Sequence, residues 1–132
     1  MDWTRRDKEI LFQVMQIINK LYAYENPIYV NKTRIGKEIN QLSLIEKQLA
    51  KLPMTKKYIE EHIESREEFQ IRRIKWACRA LAVKDEEIME WKVRRLAGIR
   101  DDVDKQVKIA LEKEILNYKV GDQDTENKTM AF

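Results

Sequence analysis

The residues whose types could do acid–base or metal chemistry fall into two acidic clusters. Glu60, Glu61 and Glu64 surround the single histidine, His62, and three aspartates occupy positions 101, 102 and 104. A structural zinc site uses about four cysteine or histidine ligands, and one histidine with one cysteine cannot supply them. Adjacent aspartates at the predicted start of a helix are typical caps. We therefore interpret both clusters as surface charge and helix caps rather than as an active site.

No other catalytic arrangement can be assembled from the sequence. The chain has three glycines, at positions 36, 98 and 121, and they form no phosphate-binding loop. A serine nucleophile with its histidine base would need a strained turn near His62, and none is predicted. Cys78 follows Trp76 and Ala77 and reads as a packed small hydrophobic residue. We expect no enzymatic activity, no metal and no cofactor.

Basic and amide side chains on predicted helices suggest a different chemistry, the recognition of double-stranded DNA by helix-turn-helix units. The first helix of such a unit lies against the phosphate backbone, and the second places residues in the major groove, where Gln can pair with adenine and Lys with guanine. The first candidate pairs residues 32–39 with residues 44–51. The predicted phosphate contacts are Lys32, Arg34, Lys37, Lys56 and Lys57, and the predicted groove contacts are Lys47, Gln48 and Lys51. Lys56 and Lys57 stand at a helix start, whose own N–H groups would add donors for a phosphate.

A second candidate unit pairs residues 89–97 with residues 102–116 across a turn that contains Gly98. Its basic edge consists of Lys92, Arg94, Arg95 and Arg100, and its reading helix carries Lys105, Gln106 and Lys108. The aspartates at positions 101, 102 and 104 stabilise the start of that helix but repel phosphate. The second unit is therefore the weaker candidate for reading bases.

The charge distribution supports localised basic surfaces. Residues 28–58 carry seven Lys/Arg and two Glu, and residues 71–100 carry nine Lys/Arg and four Asp/Glu, whereas residues 59–70 and 101–132 are net acidic. Such blocks are typical of a folded DNA-binding protein with basic faces. The alternative is a plain helical bundle with solvated lysines and arginines. The three tryptophans are predicted to lie in the core, with base stacking as an alternative for Trp91.

The elements that position these side chains are all predicted to be helical. Apolar residues recur every three or four positions along most of the chain, and three glycines and two prolines are too few for a protein of many strands and turns. We predict an all-α fold of tandem helix-turn-helix units: residues 1–65 form the first, residues 66–118 the second, and residues 119–132 a flexible, disordered tail. The predicted helix caps are Thr4, Asn31 or Thr33, the Ser43–Glu46 and Ser65–Glu68 capping boxes, Thr55, Gly98 at a C-terminus, and Asp101 or Asp102.

Several separated strings carry a family resemblance. They are Asp2-Trp3 with Asp7, residues 33–39 (TRIGKEI), residues 45–61 (IEKQLAKLPMTKKYIEE), Glu64-Ser65, residues 69–77 (FQIRRIKWA) and residues 91–100 (WKVRRLAGIR). In order and spacing, over about residues 2–117, they resemble the C-terminal region of TnsD proteins, members of the TniQ group of transposon target-selection proteins.

The resemblance implies a function and partners. Proteins of this family bind a chosen attachment site and recruit the transposon's AAA+ regulator, TnsC, and their C-terminal part is expected to contact double-stranded DNA sequence-specifically. An N-terminal TniQ domain with zinc-binding residues is usual in the family and is absent from this sequence. We therefore expect a fragment that begins within a longer protein, with Met1 added.

Three functions remain in competition at this stage. The first is sequence-specific DNA binding that selects the attachment site for transposon insertion. The second is a protein-interaction bundle that docks the AAA+ regulator, with acidic residues 59–68 as its docking strip. The third is an ordinary helix-turn-helix transcriptional regulator. No apolar run approaches the ~20 residues that cross a bilayer, and no signal peptide opens the chain, so we expect a cytoplasmic, nucleoid-associated protein.

Overall fold

The protein is all-α, as predicted, in a computed structural model that describes the backbone of residues 2–130 and the side chains of residues 2–119. No strand occurs within residues 2–130. The chain divides into two compact units, Met1–Phe69 and Gln70–Phe132, and each has its own hydrophobic cluster.

The first helix of unit 1, α1 (Trp3–Ala23), buries one apolar stripe and exposes the rest of its surface. Ile10, Val14, Ile18 and Leu21 are buried, at the three- and four-residue spacing that places side chains on one face of a helix. The N-cap lies two residues earlier than predicted: the Asp2 side chain accepts from the Arg5 amide at 3.2 Å, and Thr4 lies inside the helix. The prediction of Thr4 as the cap is therefore wrong.

Helices α2 (Lys32–Glu38) and α3 (Leu42–Lys47) lie in the segment predicted to be the first helix-turn-helix unit. Of the two predicted caps, Asn31 and Thr33, it is the Asn31 side chain that caps α2, by accepting from the Arg34 amide at 2.8 Å. The turn places Asn40 at φ 59°, a left-handed conformation that asparagine tolerates. The two helices approach closely at Gly36, where a Cβ atom would lie 2.9 Å from the Leu42 Cα.

The second of these two helices is shorter than predicted. We expected a helix over residues 44–51 opened by Ser43 and Glu46, but α3 ends at Lys47, its N-cap is Gln41, and no side chain caps it. A 3-10 turn, Leu49–Lys51, follows and leads to α4 (Pro53–His62). Proline suits the first position of a helix, where no amide hydrogen is required, so Pro53 starts α4 as well as ending the segment before it.

The start of α4 is capped by a residue of α1. The Asp7 side chain is 2% exposed and accepts from the Met54 and Thr55 amides, each at 3.0 Å, and from the Thr55 hydroxyl at 2.7 Å. Thr55, predicted to be the cap, is instead buried inside α4. A carboxylate on free amides at a helix N-terminus satisfies donors that have no partner within the helix, so Asp7 fixes α4 against α1.

Unit 2 contains most of α5 (Arg66–Val83), together with α6 (Glu90–Ala97) and α7 (Lys105–Met130). Ser65 and Glu68 form the predicted capping box at the start of α5, and Gly98 ends α6 at φ 71°, also as predicted. The cap near α7 is Asp104, whose side chain accepts from the Gln106 amide at 2.8 Å, and not Asp101 or Asp102. The core of unit 2 is formed by Ile74, Ala77, Cys78, Leu81, Ile88, Val93, Ala97, Ile99, Val107 and Leu111.

Two predictions about chain organisation remain predictions. The division into helix-turn-helix units at residues 1–65 and 66–118 rests on sequence patterns. The flexible tail predicted for residues 119–132 lies, beyond Lys119, outside the residues whose side chains the structure describes.

Candidate nucleic-acid interface

Unit 1 exposes lysines that have no carboxylate partner. Of the predicted contact residues, all eight in unit 1 are exposed. Among side chains in residues 2–119, no carboxylate pairs with any of the six lysines in this set. They are Lys32, Lys37, Lys47, Lys51, Lys56 and Lys57. Unpaired, solvated ammonium groups are the ones that can exchange their counterions for phosphates.

The edge of α2 forms a small polar notch of about 190 Å³, lined by Tyr29, Asn31, Thr33, Arg34 and Lys37. Tyr29 is held there by stacking on Phe69, with ring centroids 4.9 Å apart. Arg34 also approaches Glu38 at 3.5 Å in a partly exposed i,i+4 pair, which contributes about 0.3–0.5 kcal/mol at such positions. A pair that weak does not prevent Arg34 from binding a phosphate.

The predicted groove contacts do not form one regular helical face. Lys47 is the last residue of α3, Gln48 is its C-cap, and Lys51 lies in the 3-10 turn. The Lys51 ammonium lies 4.8 Å from the centroid of the Trp3 ring, a cation–π distance. These three side chains therefore surround the end of α3 and the turn after it.

The start of α4 differs from the expected anion site. Lys56 and Lys57 are exposed in its first turns, but the Met54 and Thr55 amides donate to Asp7. The expectation that these N–H groups would add donors for a phosphate is wrong, because the Asp7 carboxylate already fills that position. The contribution of this helix to DNA binding rests on its side chains.

In unit 2, the predicted basic edge contains two kinds of residue. The Arg94 side chain is 21% exposed and bonds to Glu90 at 3.2 Å, to the Arg100 carbonyl at 3.3 Å and to Asp101 at 3.3 Å, so it holds the turn after α6. Arg95, Arg100, Lys105 and Lys108 are exposed. The Lys92 ammonium lies 5.7 Å from the centroid of the Trp91 ring. Trp91 is 56% exposed, so its predicted place in the core is wrong.

Sequence patterns missed two structural roles. The Arg73 side chain donates to the carbonyls of Ala97 at 2.8 Å and Leu96 at 3.2 Å, which satisfies the C-terminus of α6. Glu64, counted in the acidic strip, is 7% exposed and accepts from the Val30 amide at 3.0 Å. Both partners are more than 20 residues away in the sequence, and no local pattern indicates them.

Cys78 is buried in unit 2 and poorly suited to chemistry. Burial raises the pKa of its thiol to about 11, and the nearby Glu114 carboxylate adds to this rise. Burial also raises the pKa of Tyr118, and the charges of Cys78 and Glu114 add to it. No group of three His, Cys, Asp or Glu suited to a metal occurs in the described residues. The same part of the chain has no helix long and apolar enough to span a membrane.

Comparison with known proteins agrees with the resemblance seen in the sequence. Residues 1–59 match the family described as "TnsD: Tn7-like transposition protein D". The Transposon Tn7 transposition protein TnsD of Escherichia coli is 33% identical over 100 residues, which cover 75% of this chain. The chain spans about a fifth of that protein's length. No solved structure matches the chain. These two matches show that the chain contains a region similar to TnsD proteins.

Proposed function

We propose that this chain binds double-stranded DNA sequence-specifically and selects the attachment site for transposon insertion as part of a larger TnsD-like protein. One observation carries the proposal. The exposed, unpaired lysines of residues 32–57 lie in unit 1, the unit that contains the TnsD-family match at residues 1–59.

The arrangement of charge supports binding to a polyanion. Each exposed lysine that meets a phosphate releases condensed counterions, and this release is a large part of protein–DNA affinity. In the proposed complex, Lys32, Arg34 and Lys37 bind phosphates at the notch on α2, and Lys47, Gln48 and Lys51 contact the groove edge. In unit 2, Lys92, Arg95, Arg100, Lys105 and Lys108 supply further phosphate contacts. Arg94 acts indirectly, because its hydrogen bonds fix the backbone beside Arg95.

The salt dependence of DNA binding tests this proposal. For about six phosphate contacts, log Kd against log salt concentration should have a slope of magnitude about 5. Fluorescence anisotropy with a 30-bp duplex from the transposon's insertion point provides the measurement. Replacing Lys32, Lys37 and Lys56 with alanine should lower that magnitude by about 3. Alanine at Lys20 and Lys84, which are also exposed, is the control and should leave it unchanged; equal slopes for both variants would contradict the proposal.

A second candidate function is docking of a TnsC-like AAA+ regulator. The predicted acidic strip is less suited to this role, because Glu64 is buried and Glu68 belongs to a capping box. The observation that favours docking is on α1, where Phe12 is 62% and Met15 40% exposed. A pull-down with the purified regulator, comparing wild type with Phe12→Ser, tests it: the variant should lose the regulator and keep its affinity for DNA.

A further inference from the structure

We propose that α4, and not α3, is the helix that enters the major groove, with Lys57 and Glu60 facing the base edges. This inference rests on the proposed DNA-binding function and identifies its reading element. It differs from the sequence-based assignment, which placed the reading residues at Lys47, Gln48 and Lys51.

The lengths of the two helices favour α4. Helix α3 has six residues, which is about 9 Å and less than two turns. Helix α4 has ten residues, about 15 Å, which exceeds the ~12 Å width of the major groove. A helix of this length can present side chains from two successive turns to neighbouring base pairs. The side chains at the end of α3 cannot do so in the same way, because the backbone there passes from an α-helix into a 3-10 turn.

The buried and exposed faces of α4 are cleanly separated. Thr55 and Ile59 are fully buried and hold the helix on unit 1. At about 100° per residue, Lys57 lies about 200° and Glu60 about 140° around the helix from Thr55, so both project from the opposite face. Lys56 and Glu61 border that face, and all four charged side chains are exposed.

Both ends of α4 are fixed to α1, which preorganises its outer face. The Asp7 carboxylate binds the Met54 and Thr55 amides at the start. The Tyr22 hydroxyl donates to the His62 carbonyl at 2.5 Å at the other end. Because the Asp7 carboxylate already occupies the free amides at the start of α4, that end of the helix cannot bind a phosphate. We therefore expect α4 to contact DNA through the side chains of its exposed face.

The two central side chains define the bases that α4 would select. The Lys57 ammonium can donate to O6 and N7 of guanine, and the Glu60 carboxylate can accept from N4 of cytosine. Residues three apart on a helix are separated by about 4.5 Å along its axis, which matches one to two base-pair steps. We therefore expect a guanine and a cytosine within two base pairs of each other at the centre of the site.

Selection from a duplex pool with 24 randomised base pairs tests the assignment in the whole chain. Wild type should enrich a motif, and Glu60→Gln should change one position from cytosine to adenine, because glutamine pairs with adenine. Lys57→Ala should reduce the guanine preference at a neighbouring position by about tenfold or more. The matched control is Gln16→Ala, at an exposed glutamine of α1 outside the proposed DNA contacts, which should keep the wild-type motif.

The outcomes separate the two claims. A wild-type motif that both α4 variants leave unchanged would overturn the assignment to α4 and leave DNA binding standing. If wild type enriches no motif, the sequence-specific function fails and the assignment fails with it. Since Lys57 and Glu60 are exposed, circular dichroism should show that both variants fold like wild type.

Discussion

The link between Asp7 and α4 makes a quantitative prediction about the stability of unit 1. Replacing Asp7 with alanine removes the acceptor of three hydrogen bonds, which the Met54 amide, the Thr55 amide and the Thr55 hydroxyl donate. The Thr55 amide is buried, so water cannot freely replace its lost bond. The Met54 amide is only partly buried, and the Thr55 hydroxyl can still donate to the main-chain carbonyl of residue 7, which lies 3.1 Å away. Each unsatisfied buried donor costs about 1–3 kcal/mol. With one buried donor unsatisfied and two donors partly compensated, we expect the free energy of unfolding to fall by about 2–4 kcal/mol.

The assay uses the three tryptophans to observe one unit at a time. Trp3 belongs to unit 1, and Trp76 and Trp91 to unit 2. In a background with Trp76→Phe and Trp91→Phe, tryptophan fluorescence during urea denaturation reports on unit 1. The matched control is Asp2→Ala, which removes the exposed cap of α1 and should cost about 1 kcal/mol.

A double-mutant cycle isolates the side-chain pair. Thr55→Val removes the hydroxyl and keeps the side-chain shape. The double mutant should lose about 1–2 kcal/mol less stability than the sum of the losses in the two single mutants, because both single mutants remove the same hydrogen bond. If Asp7→Ala costs no more than Asp2→Ala, or if the two effects at Asp7 and Thr55 add without coupling, the buried cap does not hold α4 in place.

Three further predictions concern the turns and the buried thiol. Gly36→Ala should destabilise unit 1 by about 1–3 kcal/mol in the same urea assay, because the new Cβ would lie 2.9 Å from the Leu42 Cα; wild-type stability would contradict the close approach. Arg94→Ala should cost about 1–2 kcal/mol of stability, whereas Arg95→Ala should keep stability and weaken binding to all duplexes alike; the opposite pattern would refute the division of roles. Iodoacetamide should alkylate Cys78 about 100-fold more slowly in the native chain than in urea at pH 8, because the pKa is raised from 9.0 to about 11. A raised native pKa contributes stability below pH 9 that is lost as pH rises from 9 to 11, so urea midpoints that stay level across this range would contradict it.

The sequence was sufficient to predict the helical class and several boundaries. The three- and four-residue spacing in α1, the Asn31 cap, the Ser65–Glu68 capping box and the Gly98 C-cap are local signals, and the structure confirms each. Local patterns work here because a cap and its amide lie within three residues of each other.

Two of the errors involve a partner that is distant in sequence or a local structure that competes with the predicted one. Thr55 has a good capping side chain, but Asp7, 48 residues earlier, occupies the amides it would have bound. Residues 44–51 have a continuous apolar pattern, yet the chain leaves the α-helix at Gln48 for a 3-10 turn, and the pattern does not distinguish the two. These two errors moved the expected reading surface away from α4.

The charge pattern identified the basic residues, but it could not distinguish those with a structural role from those exposed to solvent. Arg94 and Arg95 are adjacent and identical in type, but one is bonded to three groups and the other is exposed. Which of the two arginines reaches a carboxylate depends on the helix face that each occupies. Arg94 lies on the face towards Asp101, which the turn after α6 brings within 3.3 Å.

The ratio of two dissociation constants tests the central claim most directly. The full chain should be titrated by fluorescence anisotropy, at a fixed moderate salt concentration, into a duplex carrying the motif enriched from the randomised pool and into a scrambled duplex of the same composition. We predict that the enriched duplex binds about 100-fold tighter or more, as base contacts in a groove add to phosphate contacts shared by both. Equal affinities would show that unit 1 carries charge without reading sequence, and would contradict the account.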